Sequence, residues 1–155
     1  MSKHNQLITS DDGSHTLISN QFGVSYHSLH GAIQESRTVF LAAGLHYARH
    51  NLLTEIKILE MGFGTGLNAL LTLIEAEKYH FPIQFNTLEA YPISTQQADT
   101  LNYIDILDCS KYSDAFRLMH NTLSGQTLKL SKYFSFTKHI AKIEDLIPID
   151  KYSLV

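Results

Sequence analysis

Residues 58–68, ILEMGFGTGLN, decide the fold. An apolar run reaches Glu60, and three of the chain's 8 glycines then fall at Gly62, Gly64 and Gly66. Upstream, EIKILEM has the composition of a short buried strand. Downstream, Leu67, Leu70, Leu71 and Ile74 recur at the spacing of one helix face. A glycine turn between strand and helix lets another molecule approach the main chain, because no Cβ intervenes. The helix start behind it offers free N–H groups and the positive end of the helix dipole. The dinucleotide fingerprint spaces its glycines G-x-G-x-x-G. Here the spacing is one residue tighter, and Glu60 stands two positions before the first glycine. That carboxylate opposes a pyrophosphate and suits a ligand carrying a cation, such as an α-amino group. The competing structural reading is a turn whose glycines serve close packing alone.

Glu89 ends the next strand pattern, IQFNTLEA, 23 residues after Gly66. In a doubly wound sheet, neighbouring strands converge at their C-terminal ends, so Glu89 is expected at the same crevice, placed to accept from a ribose. Working outward, LITSDDGSHTLIS predicts a hairpin over residues 6–18, turning at Asp12-Gly13. A helical pattern starts near Ala32, with Ile33, Val39, Phe40 and Ala43 on one broad face and Gly44 as its stop, followed by a short helix around 45–52. After Glu89, Pro92 suits the first turn of a helix over PISTQQADTLNYI, and SDAFRLMHNTL predicts another. TLKLSKYFSFTKHIAKIEDL has room for two strands, and KYSLV begins one more. This alternation predicts an α/β fold with a parallel sheet.

Composition sets the bounds. A length of 155 residues fits one domain, and the 17% of charged residues is ordinary for a globular chain. The single Cys109 excludes an internal disulfide framework, and no signal peptide opens the sequence, so a cytoplasmic location is expected. The longest uncharged stretch, MGFGTGLNALLTLI, is too short to span a bilayer. With a net charge of −3, nucleic-acid binding needs a local basic patch, and Lys129, Lys132, Lys138, His139 and Lys142 form the only basic run. Phosphate contact by Lys132 and Lys138 competes with a merely solvated strand face. Nine histidines invite a metal reading, but neither His46 and His50 nor His27 and His30 come with an acidic third ligand at a telling interval, so no metal site is expected. Tyr26 and Tyr91 are the aromatics to watch as stacking platforms.

The pattern Glu60-x-Gly62-x-Gly64-x-Gly66 resembles the first motif of class I S-adenosylmethionine (SAM) methyltransferases. Taken with DGSHTL (12–17), YHSLHGAIQES (26–36), VFLAAGL (39–45) and LEAYP (88–92), it resembles more specifically the MnmC-type family that completes 5-methylaminomethyl-2-thiouridine at the tRNA wobble position. The resemblance implies a Rossmann-like class I sheet over residues 55–155, with residues 1–54 as a hairpin and helical extension. It implies SAM as cofactor, with Glu60, Gly62, Gly64, Gly66 and Asn68 bounding its methionine part. Glu89 would hold the ribose, with Ala90 and Tyr91 beside the adenine. Tyr26 and Ser28 belong to a block that lines the pocket in relatives, as does Glu35. The implied partner is the tRNA anticodon region, with a separate or fused flavin oxidase.

Two departures from the family qualify this picture. Relatives carry a Gly-Asp pair at the end of their third strand, where this chain has Ala141-Lys142. Relatives also continue past the strand matching KYSLV into Asp-Ala-Phe-x-Pro, whose Asp is their expected catalytic group. The chain is therefore expected to hold a truncated sheet, strands 1–3 and the start of strand 4. It is also expected to lack a recognisable catalytic base and to bind SAM poorly or not at all by itself. The alternatives are a catalytically inactive SAM-binding module and an NAD- or FAD-dependent oxidoreductase.

Overall fold

The computed structural model describes residues 5–51, 54–145 and 151–155. The hairpin forms as read: β1 (Gln6–Thr9) pairs antiparallel with β2 (His15–Ile18) across a turn in which Gly13 has φ 82°. Asp12 makes this turn a structural hub. One carboxylate oxygen accepts from the Ser10 hydroxyl, the Ser14 amide and the Ser14 hydroxyl. The other accepts from the amide of Gln34 at 3.0 Å, in the first turn of the helix that starts at Ala32. A Cβ at Gly31 would sit 2.5 Å from that oxygen, so the hairpin and the helix meet where only glycine fits.

That helix does not stop at Gly44. It begins as α1 (Ala32–Glu35), widens to a π-helical stretch over Ser36–His46 and continues as α2 (Tyr47–Asn51). The i→i+5 turn rotates later side chains away from an ideal helical face. Leu41, Leu45 and Ala48 are buried, while Val39 and Ala43, expected on the core face, are exposed. A Cβ on Gly44 would lie 3.3 Å from the Leu154 side chain, so this glycine serves close helix-to-strand packing rather than termination.

β3 (Ile56–Met61), α3 (Leu67–Tyr79) and β4 (Ile83–Leu88) follow the sequence pattern closely. The next helix starts later than read. Ser94, not Pro92, opens it, its hydroxyl accepting from the Gln97 amide, and the segment splits into α4 (Thr95–Ala98) and α5 (Tyr103–Ile106). Asn102 at the break is held by the hairpin: its side chain accepts from the His15 amide and donates to the Gly13 carbonyl. α6 (Ser113–Asn121), β5 (Thr127–Lys129) and β6 (Phe134–His139) complete the order.

The sheet runs β3-β4-β6-β5, with β3, β4 and β6 parallel. β5 is antiparallel to β6, so the sheet is mixed rather than all parallel. On the other side of β3, Leu154 makes a parallel bridge to Ile58, and the Leu59 amide donates to the Leu154 carbonyl at 2.9 Å. The chain thus adds strands outward from β3 on one side and returns to its opposite edge. The switch point of the sheet falls at the C-terminal end of β3. In the core the Phe85 ring stacks on Phe136 and lies tilted against Phe134, and the half-buried Phe40 packs onto Phe85 edge to face. Among the described residues, no helix is long and apolar enough to cross a membrane.

Lys138 fits neither reading, phosphate contact or solvated strand face. It is 1% exposed, and its ammonium donates to the carbonyls of Met119 (2.9 Å) and His120 (2.7 Å). The lysine caps the C-terminal end of α6, where carbonyls lack helical partners and a cation is favoured. Lys129 and Lys132 line a hollow at the N-terminal ends of β4 and β6. A six-residue strand, roughly 20 Å long, separates them from the glycine turn.

Partial burial raises the Asp12 pKa, but the bonds from Ser14, Gln34 and Ser10 outweigh it and pull it down from 3.8 to about 2. A depressed carboxylate stabilises the fold above its unfolded pKa and loses that contribution as pH falls through the folded value. Asp12→Ala is expected to cost about 1–2 kcal/mol at neutral pH. The gap to wild type narrows between pH 4 and pH 2, as urea unfolding across that range measures.

Candidate functional site

The glycine turn crosses from β3 to α3 at the switch point, with φ 93° at Gly62, 54° at Gly64 and 77° at Gly66. The glycines serve different ends. Around Gly62 nothing approaches a would-be Cβ within 4 Å, so the backbone there lies open. At Gly66 a Cβ would meet Phe63 at 2.8 Å, His120 at 3.0 Å and Phe116 at 3.2 Å. Close packing and ligand access, which compete as readings of the sequence, apply at different positions of one loop.

Phe63 anchors the turn. It is 3% exposed and packs between the His120 ring (centroids 4.9 Å) and Phe136 (5.4 Å), with the Lys138 ammonium 5.1 Å from its face. Thr65 is held from two sides. The buried Tyr103 hydroxyl donates to its Oγ1 at 3.0 Å, and His120 Nε2 bonds its carbonyl at 3.2 Å. Burial and the nearby Lys138 charge push the His120 pKa down to about 4. At neutral pH the imidazole is uncharged, and its Nε2–H donates to Thr65.

The glycine amides of the turn are engaged within the chain. Gly62 N–H donates to the Leu88 carbonyl, Gly66 N–H to the Phe63 carbonyl, and Gly64 N–H to Glu89 Oε2 at 2.8 Å. The other Glu89 oxygen accepts from the Tyr91 amide at 2.7 Å, and the side chain is 8% exposed. All three glycine amides are thus engaged internally and are not open donors for a phosphate. What remains unpaired is of the opposite kind. Glu60 Oε1 accepts from the Asn68 amide group at 3.1 Å, which leaves Glu60 Oε2 and Asn68 Oδ1 buried without a partner. Enclosure pushes the Glu60 carboxyl up to about 8, aided by the charge of Glu89 and resisted by the Asn68 bond and by the Thr87 hydroxyl opposite it on β4. Once Glu60 is ionised, its Oε2 and Asn68 Oδ1 are two unpaired acceptors beside an open backbone, an arrangement that suits a donor-rich cation, since an unpaired buried acceptor is costly.

A cleft of about 300 Å³ brings together Tyr26, Glu60, Gly62, Gly64 and Asn68, and Glu35, His27, Val39 and Phe40 also face it. Tyr26 presses on Gly64, 2.9 Å from where a Cβ would stand, and receives a bond from the Asn5 side chain at 3.3 Å. Ser28 does not line this cleft; its amide donates to Glu35 Oε2 at 2.7 Å, and its hydroxyl accepts from the His30 amide. Ala90 and Tyr91 line a separate hollow of about 400 Å³, which Tyr26 also borders. Glu89, expected at the crevice, lines neither; its two oxygens are taken by the amides of Gly64 and Tyr91. Sequence reasoning missed His27, Phe40 and the anchoring of Phe63. An aromatic between two glycines is a usable signal for such an anchor, whereas burial of His27 depends on how the hairpin lands. Among the described residues, no three His, Cys, Asp or Glu side chains gather as a metal-binding group.

No family model matches the chain. It is similar to the tRNA 5-methylaminomethyl-2-thiouridine biosynthesis bifunctional protein MnmC of Leptospira interrogans, with 34% identity over 87 residues covering 53% of this chain. The protein of the same name from Acidovorax sp. is 40% identical over 88 residues, 54% of this chain. The chain spans 13% of the length of either relative. Its fold matches a crystal structure of MNMC2 from Aquifex aeolicus with a TM-score of 0.65 and 19% identity, over 95% of this chain and 47% of that one. The fold is that of an α/β domain, consistent with the Rossmann-like architecture of methyltransferases. The sequence matches bear out the resemblance to the MnmC type.

Two outcomes follow from the loop. Ala at either Gly62 or Gly66 costs about 1–3 kcal/mol from positive φ, but Gly66→Ala also forces Phe63 out of place. Urea unfolding is expected to show Gly66→Ala as clearly the less stable of the two. Because the folded pKa of Glu60 lies above its unfolded value of 4.5, its contribution to stability is complete below pH 4.5. That contribution disappears as pH rises through about 8. The wild type therefore loses stability from pH 5 to pH 8.5, and Glu60→Gln flattens that decline.

Proposed function

We propose that this domain binds SAM and serves the methylation of the 5-aminomethyl group of wobble 2-thiouridine in tRNA, giving 5-methylaminomethyl. The observation that carries the reading is the pair of orphaned acceptors, Glu60 Oε2 and Asn68 Oδ1, at the foot of the open Gly62 backbone. An α-ammonium group satisfies both. Glu89, at the end of the adjacent strand, bonds Gly64 of this cleft and Tyr91 of the second hollow, which supports a ribose linking the two halves of the cofactor there. When bound, the cofactor supplies an electrophilic methyl group on a sulfonium. The chain's residues bind and orient: Glu60 ionises against the ammonium, and Phe63, Tyr103 and His120 keep the turn in shape. A rigid turn matters because methyl transfer is an in-line displacement that depends on alignment.

The residues that favour SAM disfavour a pyrophosphate cofactor, since Glu60 and Glu89 put two carboxylates where phosphates would need donors. The expectation of poor binding by this chain rested on family residues it does not contain. Glu60, Asn68 and Glu89 are all assembled here, which favours binding by the chain itself. The wobble nucleoside as acceptor, tRNA as partner and a cytoplasmic location rest on the MnmC resemblance. A cooperating flavin oxidase rests on it too.

Isothermal titration with S-adenosylhomocysteine and NAD tests the binding. The homocysteine nucleoside is expected to bind, more tightly as pH rises from 6 toward 8, and to release a proton as Glu60 gives up its own. Binding that is independent of pH and of Glu60→Gln, or preference for NAD, refutes the site assignment. Transfer of labelled methyl from SAM to tRNA bearing 5-aminomethyl-2-thiouridine tests the reaction. SAM-saturated protein without transfer would reduce it to a binding module.

A further inference from the structure

Glu89 bonds Gly64 of one hollow and Tyr91 of another, and the polar contacts named in the proposed function lie in the first. The second is built differently. Its walls are Tyr91, Ala90, Pro92 and Ile93 from the segment after β4, closed on the far side by Phe22 from the loop after β2. The Phe22 and Tyr91 rings meet edge to face with centroids 5.5 Å apart. Both remain largely open, at 58% and 46% exposure. Two aromatic rings left in contact with water at the mouth of a concave site are a stacking surface in want of a third ring.

The loop that carries Phe22 is held firmly. The Ser19 carbonyl accepts from Gly23 N–H at 2.8 Å, and Ser19 N–H donates to the Val24 carbonyl at 2.8 Å. The Ser19 hydroxyl accepts from Phe22 N–H itself at 3.2 Å. Gly23, at φ 68°, turns the chain where another residue would be strained. Ser25 then bridges back to Ile18. Phe22 is therefore presented at a fixed place at low entropic cost, the condition under which an exposed aromatic adds most to affinity. Amide side chains from Asn5 and Gln97 also border the hollow, within reach of the donors and acceptors on a heterocycle's edge.

We infer that Phe22, contributed by the N-terminal hairpin region, is a specificity-determining residue that stacks on the nucleobase of the cofactor with Tyr91. The hairpin is then a working wall of the cofactor site and not an appendage to it. This inference rests on the proposed SAM binding and adds to it the residue that distinguishes a ligand with a base from one without.

The test compares S-adenosylhomocysteine with S-ribosylhomocysteine, which keeps the amino acid and ribose but lacks the base. Titrations on the 155-residue chain are followed by NMR so that weak binding is still measured. The wild type is expected to prefer the adenosyl compound. Phe22→Ala weakens the adenosyl compound by roughly tenfold, as expected for one lost base–aromatic stack, and leaves the ribosyl compound unchanged. Phe22→Tyr restores the preference. Because Phe22 is exposed, folding is expected to survive the alanine, and the ribosyl affinity reports on that directly. Unchanged adenosyl affinity in Phe22→Ala, with the wild type binding well, overturns the inference and leaves the proposed function standing. An equal loss for both compounds also overturns it. A wild type that binds neither compound overturns the proposed function and this inference with it.

Discussion

Everything at the site depends on Phe63 being driven into the core. The turn from β3 to α3 contains three residues with positive φ, and a loop of that kind has little preference of its own. Its shape comes from outside. Phe63 is wedged between His120 and Phe136, Tyr103 and His120 grip Thr65, and Glu89 takes the Gly64 amide. These partners come from β4, α5, α6 and β6, so the loop reaches its final form only when the rest of the sheet is in place. The buried Lys138 holds the end of α6 that carries His120, which makes it part of the same support.

This support has an electrostatic consequence. Using up the glycine amides internally takes three donors of the turn away from any anion. The acceptors of Glu60 and Asn68 are left in their place. A carboxyl enclosed this way, with Glu89 nearby, resists ionisation until a cation arrives. On the proposed function, the same unsatisfied acceptors that weaken the protein as pH rises would supply a cation with its binding energy.

The N-terminal hairpin belongs to this design as well. Asp12 ties its turn to the helix that carries Glu35, and Asn102 ties it to α5. Tyr26 leans on Gly64 and borders both hollows. Remove the hairpin and the cleft loses a wall rather than an ornament.

The sequence by itself determined the strand, glycine turn and helix, the hairpin around Asp12-Gly13, and the carboxylates at the ends of two adjacent strands. These are local signals, carried by spacing, turn chemistry and period, and they need no knowledge of distant neighbours. Only the tertiary structure decided the rest. Gly44 reads as a helix stop and proves to be clearance for Leu154; Lys138 reads as a surface cation and proves to be a buried cap. Pro92 reads as a helix start, but the Ser94 hydroxyl begins it. The glycine amides read as free and are engaged by Leu88, Phe63 and Glu89. In each case the outcome is set by a partner far along the chain or by packing, and a one-dimensional pattern holds no record of which groups will meet.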